Sequence, residues 1–265
     1  MTASDIHSDV PIRHAASLQG AHGGKRFHDE RDTTPPALSV ITVVFNCAHT
    51  LEKTIQSVLN QPLTGIEYII IDGGSTDGTL NVLRKYEAAL EVWISERDSG
   101  IYDAMNKALA FVRGRGHVFL EAGDAYAGDV LTENIKIPGR LPVKYKSELN
   151  KRTINAVPRK PSLGMPYCHE GIVYETSGCR FDTTLRIAAD YKYYLQHGYQ
   201  RGLPLCEVSG AVEVDFGTSR RHFWLGYRET NRVIGEFFGP IHQARAYVWN
   251  TLKGLTKTVL GPVRS

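Results

Sequence analysis

The sequence predicts an α/β fold with a mainly parallel central sheet and helices on both faces. Short runs of β-branched and aromatic residues alternate, between Leu38 and Glu121, with segments whose apolar residues recur at helical spacing. The strand runs are almost continuously apolar, which is typical of strands buried on both faces of a parallel sheet. A chain of 265 residues with 42% hydrophobic residues is also long enough to bury one sizeable core.

Four strands and the helices between them are predicted in order. The strand runs cover residues 38–45, 66–72, 90–96 and 117–121. Thr50 is expected to cap the first helix, the second helix is expected from about Asp77, and the apolar stripe of the third runs from Ile101 to Val112. In open α/β sheets, ligands bind at the carboxyl ends of the strands, so the turns after these strands are the expected site.

The two ends of the chain differ from this pattern. Residues 1–36 lack apolar periodicity and are predicted to be a disordered leader, whereas 37–216 form the main domain and 217–265 a basic C-terminal helical extension. The segment from Phe216 onward has eight Lys or Arg and two Glu. Apolar residues at 241, 244, 248, 252, 255 and 259 predict an amphipathic helix there. It could lie on anionic lipid or pack on its own domain.

Composition excludes several classes of protein. The four cysteines form no CxxC pair, and no signal peptide is recognised, so a reducing cytoplasm is the expected compartment. No apolar run approaches the roughly 18 residues of a membrane span. Nucleic-acid binding is not indicated, because the basic residues lack interleaved stacking aromatics.

The turns after the strands narrow the chemistry further. "FNCAHT" after the first strand has no glycine, which disfavours a dinucleotide fold, and "DGGSTDGT" has no lysine, which disfavours a phosphate-binding P-loop. Three of the four turns are acidic. Carboxylates repel an anionic ligand unless a divalent cation lies between the carboxylates and the ligand. Mg²⁺ and Mn²⁺ are commonly bound by a few carboxylates together with phosphate oxygens of the ligand. The expected ligand is a nucleoside diphosphate compound held through a metal.

Five ordered motifs carry a resemblance to a known family. "VITVVFN", "IEYIIIDGGSTDGT", "SERDSGIYDAMNKAL", "FLEAGD" and "FDTTLRIAADYKYYL" are similar in order and spacing to those of the family 2 glycosyltransferases, over about residues 38–216. The subgroup with D-G-G-S-T-D and G-I-Y-D-A-M-N motifs acts in polysaccharide and glycolipid biosynthesis at the bacterial cell surface. The resemblance implies a glycosyltransferase-A fold and inverting transfer of a hexose or deoxyhexose from a nucleotide sugar to a glycan or lipid-linked acceptor.

The resemblance also implies a donor site. Val43 would line the base pocket, and Asp72 would accept a hydrogen bond from the base. The donor site implied in this way consists of Val43, Asn46, Asp72, Ser75, Asp77, Asp98, Asp103, Asn106 and Gly123. A structural alternative stays open, because Asp98 or Ser99 could cap the following helix and Asp103 could favour its dipole.

The metal and the base are implied in the same way. Asp124 corresponds to the family's metal-binding aspartate, with Glu121 as a second ligand, while Gly123 stands where many relatives have another aspartate. An ordinary acidic turn is the alternative. Asp190 corresponds to the base that deprotonates the acceptor hydroxyl, and burial on a helix would raise its pKa. The alternative for Asp190 is a surface carboxylate.

Two further groups are assigned to the acceptor or to the diphosphate. His169 and Glu170 lie in "CHE", where relatives have Cys-His-Gln. Arg220, Arg221 and His222 lie where related enzymes close a loop over the diphosphate, and positive side chains there could neutralise the leaving group. The alternative for His169 is a polar residue with its hydrogen bonds satisfied in a turn, and the alternative for Arg220, Arg221 and His222 is a solvated basic turn.

Two other functions remain open on the sequence alone. One is a catalytically degenerate nucleotide-sugar-binding or scaffold protein, in which the altered "EAGD" turn no longer holds a metal. The other is a nucleotidyltransferase, which would require a loop rich in glycine and basic residues after the first strand. "FNCAHT" disfavours this second alternative.

Overall fold

The computed structural model describes residues 20–28, 34–145, 160–214 and 222–259. The strands of this part are β1 (Ala21–Gly23), β2 (Leu38–Val44), β3 (Ile66–Asp72), β4 (Val92–Ser95), β5 (Gly116–Phe119), β6 (Ala125–Ala127), β7 (Gly139–Arg140), β8 (Val143–Tyr145), β9 (Ile172–Glu175) and β10 (Ala211–Val214). The helices are α1 (Lys25–His28), α2 (Ala48–Leu59), α3 (Thr79–Lys85), α4 (Ile101–Leu109), α5 (Ala189–Gln196), α6 (Phe223–Phe238) and α7 (Pro240–Val259).

A seven-stranded sheet forms the centre of the fold, in the order β1-β4-β3-β2-β5-β9-β7. Strands β2, β3, β4 and β5 are parallel, and β1, β9 and β7 add antiparallel edges. A second sheet of three strands has the order β6-β10-β8. The predicted α/β fold, with a mainly parallel sheet between helices, is therefore confirmed, and the predicted strands differ from the observed ones by one or two residues at their ends.

Side chains alternate between two cores on opposite faces of the sheet. On one face, Val40 and Ile70 pack with Leu51 and Ile55 of α2 and with Leu83 of α3. On the other face, residues of the same strands, including Ile41 and Ile71, pack with α4, α5 and α6. This alternation follows from the two-residue period of a strand, and it explains why the central strands are apolar throughout.

The C-terminal helices pack on the second of these cores. Val233 and Ile234 of α6 and Ala246 of α7 are fully buried in it. The apolar stripe predicted for α7 is not its buried face, because Ile241 is 72% exposed and Val248 59% exposed. Small Ala246 allows close helix packing, whereas the larger apolar residues face outward. In the described chain, no helix has both the length and the apolar character needed to cross a membrane.

Part of the predicted leader is ordered. Strand β1 pairs with the edge strand β4, and Arg26 of α1 forms an ion pair with Glu67, whose side chain is fully buried beside Arg113 and Ser39. A buried carboxylate requires such partners, and this requirement explains why residues 20–28 dock on the sheet. The prediction of disorder is wrong for these residues, and residues 1–19 and 29–33 lie outside the described chain.

The start of α2 also differs from the prediction. The helix begins at Ala48, and Thr50 lies inside its first turn rather than at the cap. Asp77 Oδ2 accepts a hydrogen bond from the Ala48 amide at 3.0 Å and so replaces a local cap. A carboxylate from the neighbouring β3–α3 turn therefore satisfies one of the free amides at the helix start.

Candidate functional site

The centre of the site is Asp72, the last residue of β3. Register pairs Asp72 with Val44 on one side and Ser95 on the other, so three strands end together around it. Its side chain is fully buried, and the hydroxyl groups of Ser75 and Ser95 donate to its two carboxylate oxygens, the second at 2.6 Å. The Ser75 amide adds a bond at 3.1 Å. These bonds fix the orientation of the carboxylate and use most of its acceptor capacity.

The polar residues around Asp72 fix the two adjoining turns. Asn46 has a φ of +52°, its amide donates to Ser75 Oγ at 2.7 Å, and its Oδ1 accepts from the Thr76 amide at 2.9 Å. Asp77 accepts from the Thr79 hydroxyl at 2.6 Å. Hydrogen bonds from Thr79 and then from the Ala48 amide lower the pKa of Asp77 to about 2. Asn46, Ser75 and Asp77, predicted to bind the donor, hold the loops that surround the site.

Around the start of α4, Asp98 and Asp103 also accept hydrogen bonds from nearby backbone amides. Asp98 Oδ1 accepts a hydrogen bond from the Gly100 amide at 2.9 Å. Asp98 Oδ2 lies so close to Gly73, the residue after Asp72, that a Cβ at Gly73 would collide with it. Asp103, in the first turn of α4, accepts a hydrogen bond from the Ser99 amide just before the helix at 2.9 Å. Asp103 lies in the first turn of α4, the place where a negative side chain favours the helix dipole, which is the alternative that the sequence left open for it.

Asn106 reaches a distant segment rather than the open side of the site. Its Nδ2 donates to the Phe181 carbonyl at 2.9 Å, and its Oδ1 accepts from the Phe181 amide at 2.8 Å. The Asn106 side chain thus pairs both the backbone amide and the carbonyl of Phe181, which is 75 positions away in the sequence. Asn106 fixes the segment that leads toward α5, a role that the motif alone did not indicate.

The turn after β5 carries the predicted metal ligands. The Asp124 amide donates to the Glu121 carbonyl at 3.0 Å, and Gly123 between them has a φ of +110°, a conformation that side chains rarely adopt. Buried Thr54 of α2 holds this turn through Gly123 N at 3.0 Å and Asp124 O at 2.8 Å. The backbone conformation of this turn therefore favours glycine at position 123.

Four carboxyl groups, Glu121, Asp124, Glu170 and Asp190, influence one another near this turn. Burial and then repulsion by Glu170, Asp124 and Asp190 hold the pKa of Glu121 well above its usual range. Burial, with a smaller contribution from Glu170, raises the pKa of Asp190 to about 7, although the Tyr191 amide donates to Asp190 Oδ1 at 2.7 Å. Asp190 lies in the first turn of α5 and is partly exposed. It can therefore exchange a proton near neutral pH.

The carboxyl groups fit a divalent cation only in part. Hard oxygen donors suit Mg²⁺ or Mn²⁺, and a cation would relieve the repulsion that raises the pKa of Glu121. Within the described ranges, however, no three His, Cys, Asp or Glu side chains converge into a preformed cage. The donor set fits an ion held by one or two carboxylates and completed by ligand oxygens, as is usual for Mg²⁺ with phosphates.

The residues assigned to the acceptor or the diphosphate are found in different surroundings. His169 is buried, stacks on Phe119 with ring centroids 4.8 Å apart, and pairs with the Tyr174 hydroxyl at 3.0 Å. Burial lowers the pKa of His169 to about 3, so it offers no positive charge to a diphosphate at neutral pH. Glu170 accepts from the Cys168 thiol at 2.7 Å and is partly exposed near the carboxyl groups.

The remaining predicted residues lie at the edge of the site or outside the described chain. Val43 is 7% exposed and packs in the core with α4, so only its edge can border a pocket. His222 is exposed immediately before α6. Arg220 and Arg221 lie outside the described residues.

Two residues at this site were missed on the sequence. The Tyr102 hydroxyl donates to the Ile187 carbonyl at 2.7 Å, and Glu229 of α6 accepts from backbone amides just before α5. Tyr102 lies in the quoted "GIYDAMN" motif, which could have drawn attention to it. Glu229 has no local signal, since an isolated glutamate in a helix is ordinarily a surface residue.

Comparisons with known proteins bear on this geometry. Residues 39–137 match the family model described as glycosyl transferase family 2. An uncharacterized glycosyltransferase of Mycobacterium tuberculosis is 40% identical over 114 residues, 42% of this chain and 44% of that protein. TuaG of Bacillus subtilis, named for teichuronic acid biosynthesis, is 38% identical over 104 residues, 38% of this chain and 41% of TuaG. A PGL/p-HBAD biosynthesis glycosyltransferase of Mycobacterium bovis is 36% identical over 100 residues, 36% of this chain and 39% of that protein.

Solved structures show the same architecture. S. aureus TarS 1-349 in complex with UDP has a TM-score of 0.60 at 16% identity, covering 84% of this chain and 73% of that one. The mannosyltransferase PcManGT from Pyrobaculum calidifontis, in complex with GDP-Man and Mn²⁺, has a TM-score of 0.53 at 15% identity, covering 87% and 77%. The matches span less than half the length of each of the three curated relatives named above. The chain has the fold of the glycosyltransferase-A class, and its residues 39–137 match the glycosyl transferase family 2 model.

Proposed function

We propose that this chain is a metal-dependent, inverting glycosyltransferase. It would move a hexose or deoxyhexose from a nucleotide diphosphate sugar to a glycan or lipid-linked acceptor, in the biosynthesis of a surface polysaccharide or glycolipid. The family 2 domain and the names of the relatives support the class of reaction. The UDP and GDP-Man complexes of the structural neighbours support a nucleotide sugar as donor.

The observation that carries the proposal is Asp190. Its carboxyl group lies at the start of α5, and burial raises its pKa to about 7, which suits a base that works near neutral pH. In the proposed step, the deprotonated carboxylate takes the proton of the acceptor hydroxyl. The acceptor oxygen forms a bond to the anomeric carbon while the bond to the diphosphate breaks on the opposite face, which inverts the configuration at that carbon.

Asp124 and Glu121 are proposed to hold the divalent cation, Mg²⁺ or Mn²⁺, by the fit described above. When bound, such an ion neutralises charge on the leaving diphosphate. Thr54 fixes the backbone of this turn, so the two carboxylates keep their relative positions. His222, exposed just before α6, is proposed to contact the diphosphate, and the same role is kept as a prediction for Arg220 and Arg221, which lie outside the described residues.

The donor is proposed to lie over the ends of β2, β3 and β4. Asp72, held by Ser75 and Ser95, would accept from the base, and the edge of Val43 would border it. Asp98, beside Gly73, would contact the donor, with Gly123 leaving open space next to it. Asn46, Asp77, Asp103 and Asn106 act on the surrounding backbone and would shape this pocket indirectly.

The test combines binding and turnover. Melting temperature is measured with UDP, GDP or dTDP, each with Mn²⁺, Mg²⁺ or EDTA, because a ligand of the folded state raises it by mass action. Nucleotide release from UDP-GlcNAc, GDP-mannose and dTDP-rhamnose is then measured for the wild type, Asp190→Asn and the control Asp129→Asn, an exposed aspartate. We expect Asp190→Asn to keep the metal-dependent stabilisation and lose turnover. Normal turnover of this variant would contradict the assignment of the base.

A second candidate is a nucleotide-sugar-binding protein without catalysis. It is favoured by one observation: among the residues that the structure describes, no metal cage is preformed. Such a protein would be stabilised by a nucleotide equally in Mn²⁺ and in EDTA, and it would release no nucleotide from any of the three donors.

The exposed face of α7 is proposed to rest on the cytoplasmic surface of a membrane that holds the acceptor. Ile241, Tyr247, Val248 and Trp249 are between 48% and 72% exposed, and Arg245 is exposed beside them. Aromatic and aliphatic residues next to a basic side chain suit the boundary between acyl chains and anionic headgroups. A lipid-linked acceptor would thereby be brought to the same surface as the enzyme.

A further inference from the structure

Glu229, on the inner face of α6, binds three consecutive backbone amides. Oε1 accepts from Arg186 N at 2.9 Å, and Oε2 accepts from Ile187 N at 2.8 Å and from Ala188 N at 3.0 Å. Glu229 is 9% exposed, so these bonds form away from bulk water. Hydrogen bonds to a charged acceptor are stronger than those between neutral groups, and three on one carboxylate hold the segment firmly.

The segment held in this way leads directly into α5. The helix begins at Ala189, immediately after the three amides that Glu229 binds. Because the start of a helix carries a partial positive charge, the negative charge of Glu229 at this end also favours the helix dipole. Tyr102 of α4 holds the same segment from another side through the Ile187 carbonyl at 2.7 Å. Asp190 follows two residues after the last amide that Glu229 binds. Its position is therefore set by contacts from α4 and α6.

Close packing of α6 makes this reach possible. Gly226 lies one turn before Glu229 and on the same face of the helix. A Cβ added at Gly226 would lie 2.9 Å from Ile187 Cγ2, closer than a normal carbon contact. A side chain at this position would push α6 away from the segment and lengthen the bonds to Glu229.

We propose that Glu229 is a positioning residue for the base Asp190, so that the C-terminal extension forms part of the active site. This inference rests on the proposed function, because it assigns Asp190 the role of base. It adds that α6, which lies outside the matched family domain, holds the base in its working geometry. A cap that only stabilised α5 would change the melting temperature and leave the activity of the folded protein unchanged.

The charge of Glu229 supplies a readout that a purely structural cap would not move. Burial contributes most to the raised pKa of Asp190, and repulsion by Glu170 and Glu229 adds to it. The side chains of Glu121, Tyr102 and Tyr174 also interact electrostatically with the Asp190 carboxyl group. Removing one negative neighbour lowers the pKa of Asp190, so the acid limb of the rate profile moves to lower pH.

The first experiment uses Glu229→Gln in the full chain. The amide keeps the size of the side chain, but it loses the charge and replaces one acceptor oxygen with a donor. We expect kcat for nucleotide release to fall about 10- to 100-fold, as for a small displacement of a reacting group, with an unchanged KM for the donor. Glu236→Gln is the matched control, since Glu236 of α6 pairs with Lys192 of α5 at the surface, and we expect it to keep wild-type kcat.

The second experiment follows amide hydrogen exchange. In the wild type, the amides of residues 186–188 are expected to exchange slowly, and in Glu229→Gln they are expected to exchange faster. Where Glu229→Gln fails to fold, Gly226→Ala tests the same fall in kcat and the same faster exchange through displacement of α6, without changing a charge. Fast exchange in the wild type, or a folded Glu229→Gln protein with wild-type kcat and an unmoved acid limb, overturns the inference. A wild type without turnover defeats the proposed function instead, and slow exchange at these amides would still show that Glu229 holds the segment.

Discussion

Replacing Asn106 tests whether this residue binds the donor, as the motif implies, or stabilises the fold through Phe181, as its observed contacts indicate. Its side chain pairs both backbone groups of Phe181, at 2.8 and 2.9 Å, and Phe181 itself is 3% exposed. Asn106→Ala removes both bonds and leaves a buried amide and carbonyl without partners. Counting about 1–2 kcal/mol for each unsatisfied group predicts a loss of about 2–4 kcal/mol in the free energy of unfolding. For a chain of this size this corresponds to about 5–12 °C in melting temperature.

The assay compares thermal melting and nucleotide affinity in one preparation. Asn81→Ala is the control, because Asn81 is an exposed helical asparagine on α3 and its loss should cost less than about 0.5 kcal/mol. We expect Asn106→Ala to melt early and to bind the nucleotide with nearly normal affinity at low temperature. An unchanged melting temperature together with lost nucleotide binding would refute the structural role and restore direct donor contact.

Three further predictions concern the base, the metal turn and the C-terminal helix. The rate of the wild type should fall as pH decreases through about 7, since protonation of Asp190 removes the base, and a rate profile flat from pH 5 to 8 would exclude this role. Gly123→Ala should lower the free energy of unfolding by about 1–3 kcal/mol in urea titrations because of its φ of +110°, whereas Gly178→Ala, at an open position, should not. Val248→Asp should weaken cosedimentation of the protein with phosphatidylglycerol vesicles but not with phosphatidylcholine vesicles. Leu205→Asp, the control at another exposed apolar residue, should leave cosedimentation with both kinds of vesicle unchanged. Equal sedimentation of both variants would argue against α7 as the contact.

The carboxyl cluster also bears on how the metal is held. Burial, and then repulsion by neighbouring carboxyl groups, raises the pKa of Glu121, and the described residues offer no preformed cage. A cation would then bind weakly alone and more tightly with the nucleotide, whose phosphate oxygens complete its ligands. Melting curves with Mn²⁺ alone and with Mn²⁺ plus nucleotide distinguish this cooperative binding from an independent metal site.

Residue periodicity alone predicts the central sheet and the edge of it at which the site lies. The apolar runs at 38–44 and 66–72 are long and local, so their strands, and the position of Asp72 at a strand end, follow from residue periodicity. The acidic turns after β3, β4 and β5 then fall on one edge of the sheet, because parallel strands share their direction. The resemblance added roles to these turns, and the family match covers the same part of the chain.

The contacts of the individual polar groups depend instead on how distant parts of the chain pack together. The pairing of Asn106 with Phe181 joins residues 75 positions apart, and that of Glu229 with Ala188 joins residues 41 apart. Buried polar groups must find partners wherever the fold brings them, and no local pattern records which partner that is. The same reason applies to α7, where Ile241 and Val248 of the predicted stripe face outward and small Ala246 fits against the core. Periodicity identifies the faces of a helix, but packing selects which of them is buried.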